Sequence, residues 1–378
     1  MFEIVEKEQF VETNKRKKIL SLTRFACPEL GGGEVFLATV LNYLSSHGYD
    51  CSAACFADPK TEKPFSVEKQ LEWRGVKTTQ LVVRRDEDLY NFLKKEMPDI
   101  VITQSFSAPI IVDYAKSLGI KTIFIVLFWR NLVSVKDNFT NMLTRPMDSV
   151  KLLYDNHRVF NSCDKICVNS EFMQQAVKRY IGLDIETIIH PVFKKENILS
   201  KNKDPRYIVL INSDCGKGGR IFCEIAKRMP DKEFLCVGLG NEFIQENIVI
   251  NKILRSLKNV EIIEKTYDMA SVYGKTKILL VPSLVDETFS ICSLEAMSNG
   301  LPVLVSPQGN LPFLVENENC VLPLDNIQLW IDKINFLLSD EKSYNKLSAR
   351  AKQIADKYDP ETDLNKFLQL VRECENNL

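Results

Sequence analysis

The sequence predicts an α/β protein made of two Rossmann-like domains in succession. Three observations carry this prediction. Short apolar runs alternate with amphipathic stretches along most of the chain. A polar, lysine-rich segment at 194–204 divides that alternation into two series. At 378 residues the chain also exceeds what one ordinary core organises.

In the first series, apolar runs at 19–22, 49–56, 76–83, 98–103, 120–128, 164–169 and 187–190 read as strands. The intervening helices are predicted over 34–46, 86–96, 108–118 and 171–180. His47–Gly48 and Gly119 stop the first and third of them. After the linker, strands are expected at 206–211, 233–237, 260–263, 278–281 and 303–305, with a helix at 220–228. The stretch 327–378 reads as largely helical with a break at 358–360, and the final helix is expected to cross back onto the first domain. The expected division is therefore 1–195 plus about 360–378 for one domain and 196–359 for the other.

Composition narrows the function. Hydrophobic content of 45% and charged content of 26% are those of a globular protein. The formal net charge of −1 gives no field to draw nucleic acid or an anionic membrane. The eleven cysteines are odd in number and scattered, and Cys51/Cys55 and Cys163/Cys167 lack the spacing of common zinc or redox pairs. A cytoplasmic, reducing setting and no metal site are the expectation. The first 18 residues are charged and lack the apolar core of a signal peptide, and no apolar run is long enough to span a bilayer.

Chemistry concentrates in 281–306, VPSLVDETFSICSLEAMSNGLPVLVS, which reads as strand, loop, helix, turn, strand. Thr288 or Ser290 is placed to cap the helix, and Gly300 with Pro302 stops it. A start near Thr288 puts Glu287 just before the helix and Glu295 roughly 10 Å along its axis. The amides of Phe289, Ser290 and Ile291 would then lie between two carboxylates, at the positive end of the helix dipole. That suits a molecule with a central diphosphate and hydroxyl-bearing sugars at either end, since carboxylates accept from hydroxyls and repel phosphate. An amphipathic helix with a leading acid and a solvated Glu fits the same spacing. Two glycine loops share a strand-to-helix setting suited to phosphate: SDCGKGG at 213–219, with Gly216 and Lys217, and GGG at 31–33, with Gly32 and Gly33. His47, His157 and His190 have no catalytic partner in sequence, so packing or surface roles are expected. Asp86 and Asp88 open a helix and read as caps, not as metal ligands.

With these residues assembled, the chain resembles glycosyltransferase family 4, retaining enzymes of the GT-B fold. PSLVDETFSICSLEAMSNGLPVLVS follows the family pattern of a Glu, seven residues, Glu-Ala-Met and Gly-x-Pro-Val. LGGGEVFLATVLNYLSSHGYD resembles the family's first loop and helix, and CDKICVNSEFMQQAV and IIHPVF its closing first-domain segments. The resemblance implies two Rossmann-like domains facing a central cleft. It implies that Glu287 addresses the donor sugar, Glu295 the ribose, and Thr288 through Ile291 with Lys217 the diphosphate. A nucleoside diphosphate sugar, UDP- or GDP-linked, is the implied partner, with no cofactor and no metal. The acceptor, a glycan, lipid or protein, is not legible, and peripheral membrane contact stays open.

Three departures accompany the resemblance. The usual histidine after a first-domain strand falls near Leu127, the usual loop arginine near Asn212 or Ser213, and Ser290 stands where glycine is usual. Arg130 or Arg220 is the expected substitute for the arginine. The departures keep a second reading in view, a GT-B protein without transferase activity that partners an active transferase.

Overall fold

The structure, a computed structural model, describes residues 16–25, 32–58, 63–104, 108–127, 157–193 and 195–376. Its first sheet contains β1 (Lys18–Thr23), β2 (Asp50–Cys55), β3 (Lys69–Trp73), β4 (Val76–Gln80), β5 (Ile100–Gln104), β6 (Lys121–Val126) and β7 (Lys165–Val168). Their spatial order is β3-β4-β2-β1-β5-β6-β7, parallel except for the β3–β4 hairpin. The second sheet holds β8 (Tyr207–Ile211), β9 (Phe234–Val237), β10 (Val260–Ile263), β11 (Thr276–Val281) and β12 (Val303–Val305), all parallel in the order β10-β9-β8-β11-β12. Central strands such as IVITQ of β5 are buried throughout because helices cover both faces, which is why they read as continuous apolar runs.

In each sheet the strand order reverses at one place, between β1 and β5 in the first and between β8 and β11 in the second. Ligands of open parallel sheets bind beyond the carboxyl ends of the strands at such reversals. Residues following β1, β8 and β11 line one cavity between the two sheets, so the topology positions the site.

Two expectations changed. Residues 187–190 form only an isolated bridge, Ile188 to Val168, because His190 and Pro191 lead the chain out of the sheet. The single strand expected over 76–83 is half of a hairpin, since Arg74 and Gly75 both take positive φ (50° and 79°) and turn the chain in two residues. The helix Pro360–Asn376 does return to the first domain. Phe367 packs edge-on to Phe36 at 6.4 Å, and Glu373 pairs with Lys165 at 2.9 Å.

Candidate functional site

The cavity between the domains has a volume of about 720 Å³. Gly32, Gly33, Lys217, Glu287, Thr288, Phe289, Ser290 and Ile291 all line it, so residues from three separate segments converge there, whereas Gly216 and Glu295 are not in its wall.

Lys217 ends a short 3-10 turn, Cys215–Lys217, and is aimed by two features. Gly218 follows with φ +84°, and a Cβ there would lie 2.0 Å from the Pro282 carbonyl oxygen, so only glycine lets this loop press against the loop that follows β11. Asn247, fully buried on the helix Gln245–Ser256, braces the turn from behind: its Nδ2 donates to Asp214 at 2.7 Å and its Oδ1 accepts from Cys215 N at 2.7 Å. The loop does not act as an amide cradle. Gly216 N donates to Asp214 Oδ1, Lys217 N to the Asp214 carbonyl and Gly218 N to the Cys215 carbonyl. Gly216 therefore shapes the turn, and the loop presents the Lys217 ammonium instead of free N–H groups.

That ammonium meets Glu287 Oε1 at 2.6 Å. The Ser283 hydroxyl lies 2.9 Å from the same carboxylate oxygen. Glu287 is held through its backbone, its carbonyl accepting from Asn310 N at 2.7 Å, while a Cβ on the neighbouring Gly309 would strike Glu287 O at 2.3 Å. Charge, loop and backbone thus fix one cation and one carboxylate at the mouth of β8 and β11.

Thr288 is not the helix cap. The helix runs Ile291–Ser298 and its N-cap is Ser290, which sits at φ +78° and makes no side-chain cap bond. The Ser290 hydroxyl instead meets that of Ser293 at 2.7 Å. Thr288 is committed to the opposite domain: its hydroxyl donates to the Leu127 carbonyl (2.9 Å) and accepts from Asn169 Nδ2 (3.1 Å), and its carbonyl accepts from Ser170 Oγ (2.6 Å). The N-cap is the residue immediately before the helix, and 288 lies two positions ahead of it.

Glu295 stands apart. It lines a neighbouring cavity of about 960 Å³, with Asn42 and Arg74 of the first domain and Tyr267 of the second. Among the described residues its only side-chain partner is the Tyr273 hydroxyl at 2.7 Å. Burial without a cation pushes its carboxyl up to about 7, and the tyrosine hydrogen bond pulls only partly the other way. Between the two cavities, Ile291 meets Gly32 so closely that a Cβ on the glycine would lie 2.4 Å from Ile291 Cδ1.

The histidines are structural, as expected. His47 is exposed beside Tyr43, and His157 is exposed. His190 joins three elements: Nδ1 to Asp363 at 3.2 Å on the C-terminal helix, Nε2 to Glu171 at 3.4 Å, and its ring 5.7 Å from Phe289. Burial alone would depress its imidazole, but the Asp363 and Glu171 carboxylates outweigh that and raise it to about 9. Arg220 pairs with Glu246 at the surface and not with the cavity, and Arg130 lies outside the described residues. Of the two acids expected to cap, only Asp88 does so: Arg85 is the N-cap, and Asp88, three residues into the helix Asp86–Glu96, accepts from Arg84 N and Arg85 N. Ser283, Asn247, Asn310, Tyr273 and Asn169 went unread. Only Asn247 left a signal, being one of two asparagines, with Asn251, on the apolar face of a helix.

Two parallel-sheet domains closing on a cleft of this kind define the GT-B fold. Solved structures agree: sucrose-phosphate synthase from Thermosynechococcus elongatus matches with a TM-score of 0.76 at 15% identity, over 96% of this chain and 100% of that one. Anabaena HepE in complex with UDP matches with a TM-score of 0.75 at 16% identity, over 94% and 99%. The family models are more specific. Residues 30–192 match Glycosyltransferase Family 4 and residues 195–354 match glycosyl transferases group 1. The chain belongs to the GT-B glycosyltransferases of the family 4 type. Among curated relatives, D-inositol 3-phosphate glycosyltransferase of Corynebacterium urealyticum is 28% identical over 155 residues, 38% of this chain and 35% of that protein. The Escherichia coli UDP-Gal:alpha-D-GlcNAc-diphosphoundecaprenol alpha-1,3-galactosyltransferase is 26% identical over 287 residues, 69% of this chain and 71% of that protein. The chain thus spans about a third of the first relative's length. No helix of the described residues is long and apolar enough to cross a membrane.

Proposed function

We propose that the protein is a retaining glycosyltransferase that uses a nucleoside diphosphate sugar. The observation that carries this reading is the Lys217–Glu287 pair at 2.6 Å in the interdomain cavity. Each member is the other's stand-in: the ammonium takes a carboxylate where a diphosphate would sit, and the carboxylate takes an ammonium where sugar hydroxyls, or positive charge on the ring, would sit. A donor entering the cleft exchanges both partners at once. Lys217 then neutralises the leaving diphosphate, which stabilises charge as it develops. The first amides of the helix Ile291–Ser298 have no partner within the helix and add to that stabilisation.

On this reading Glu295 takes the ribose, and the nucleoside occupies the cavity lined by Thr266 and Tyr267. Support comes from similar proteins, one solved with UDP and with UDP-glucose and another a UDP-Gal galactosyltransferase. The diphosphate is met by protein cations and amides, so turnover is expected to survive chelation of divalent ions. The acceptor is a glycan, lipid or protein approaching from the first domain. The non-catalytic reading rests only on the departures at Leu127 and Asn212.

A screen of nucleotide sugars by thermal stabilisation, followed by donor hydrolysis, tests the proposal. At least one UDP- or GDP-sugar should raise the melting temperature. Glu287→Ala and Lys217→Ala should each cut turnover on the order of 100-fold. Unchanged affinity and turnover in both variants would sink the enzyme reading.

A further inference from the structure

One buried polar group facing the cavity has no use in this account. Asn169 follows β7, is 2% exposed and lines the interdomain cavity, yet among the described residues its Oδ1 has no hydrogen-bond partner. A buried acceptor left unpaired is costly, so an orphan at a ligand cavity points to a partner that arrives with the ligand.

The orientation of this amide follows from its neighbours. The Leu127 carbonyl can only accept, so the Thr288 hydroxyl must donate its single proton there, at 2.9 Å. Thr288 Oγ1 is then left as an acceptor toward Asn169, and the side-chain NH₂ must face it, at 3.1 Å. The carbonyl half of the amide is turned away from Thr288 as a consequence. Ser170, the next residue, fixes the same loop by donating to the Thr288 carbonyl. Thr288 is adjacent in the chain to Glu287, so the anchored amide belongs to the glycosyl side of the cavity.

We propose that Asn169 determines sugar specificity: its Oδ1 accepts a hydrogen bond from a hydroxyl of the transferred sugar, with Thr288 holding the amide in the accepting orientation. The inference rests on the donor-site reading above. The chemistry selects the part of the donor concerned. An ionised diphosphate offers only acceptors and would repel Oδ1, whereas sugar hydroxyls donate. The contact also explains how a first-domain residue reads the sugar although Leu127 supplies no polar side chain.

Calorimetry with UDP and UDP-glucose, or GDP and GDP-mannose if the guanosine pair binds, tests the proposal on the full chain. Asn169→Ala should weaken the nucleotide sugar by about tenfold and leave the free nucleotide within about twofold. Thr288→Val should reproduce that selective loss, and Thr288→Ser should restore it. Equal loss for sugar nucleotide and free nucleotide would make these residues a domain latch and overturn the proposal. No loss would mean that a buried water satisfies Oδ1, and would overturn it too. If the variants do not fold, monodeoxy analogues of the same donor on the unaltered protein decide. One analogue should lose about tenfold, and analogues that all bind within about twofold of the parent contradict the proposal. An unaltered protein that binds neither nucleotide pair defeats the donor-site reading itself. Nucleotide binding without the selective loss defeats only the role of Asn169.

Discussion

Glu287 and Glu295 lie eight positions apart on one strand–loop–helix unit, yet the fold treats them in opposite ways. Glu287 is neutralised by an ion, the Lys217 ammonium at 2.6 Å. Glu295 forms no ion pair among the described residues and is neutralised in part by a proton, its carboxyl raised to about 7 by burial. The same side chain therefore answers to two different variables. Glu287 responds to whatever competes for Lys217, and Glu295 responds to pH. Burial alone does not make the difference, since the Glu287 side chain is only 12% exposed. The difference is Lys217, delivered by a loop 70 residues away and aimed by Gly218.

The largest effect that separates the two acids is on pH. Hydroxyls donate only to the ionised form of Glu295 at full strength, so ligand binding there should expel a proton. With a carboxyl near 7, affinity for a nucleotide sugar should be about tenfold weaker at pH 6 than at pH 8, whereas Glu295→Gln should show a flat profile. A nucleotide sugar is the right probe because its diphosphate diester does not titrate in this range. Stability runs with the opposite sign to the usual carboxylate. The unfolded chain ionises first, so between about 4.5 and 7 each rise in pH costs the folded state. Glu295→Gln should match the parent protein at pH 4 and exceed it at pH 8 by up to about 3 kcal/mol in denaturant titration. A pH-independent affinity would erase the contrast between the two acids.

A smaller effect sharpens the comparison at the residue between them. Ser290 holds φ +78° as a non-glycine residue and makes no cap bond. Ser290→Gly should therefore stabilise the protein by up to about 1 kcal/mol in the same assay. A loss of stability would show that the Ser290–Ser293 hydroxyl contact outweighs the backbone strain.

Much of this arrangement was legible in the sequence, and the exceptions have physical causes. β12 was located to the residue because a buried parallel strand is a short apolar run closed by turns. β3 was missed because KQLEW is a half-exposed edge strand without a buried face. The helix Gln245–Ser256 was missed because its buried face includes two asparagines, which read as loop residues but serve to brace the Lys217 turn. The pairing of Glu287 with Lys217 and of Thr288 with Leu127 was invisible because each joins segments far apart in the chain. Thr288 also carried a competing local signal, since threonine before an apolar helix looks like a cap. The family pattern located both acids. It did not reveal that one is held by a cation and the other by a proton.

A structure determined with an intact nucleotide sugar tests the central division of labour most directly. Lys217 Nζ should have moved from Glu287 onto the diphosphate, with Glu287 on a sugar hydroxyl and Glu295 on the ribose. A bound donor that leaves the Lys217–Glu287 pair closed, or that places its ribose at Glu287, would contradict it.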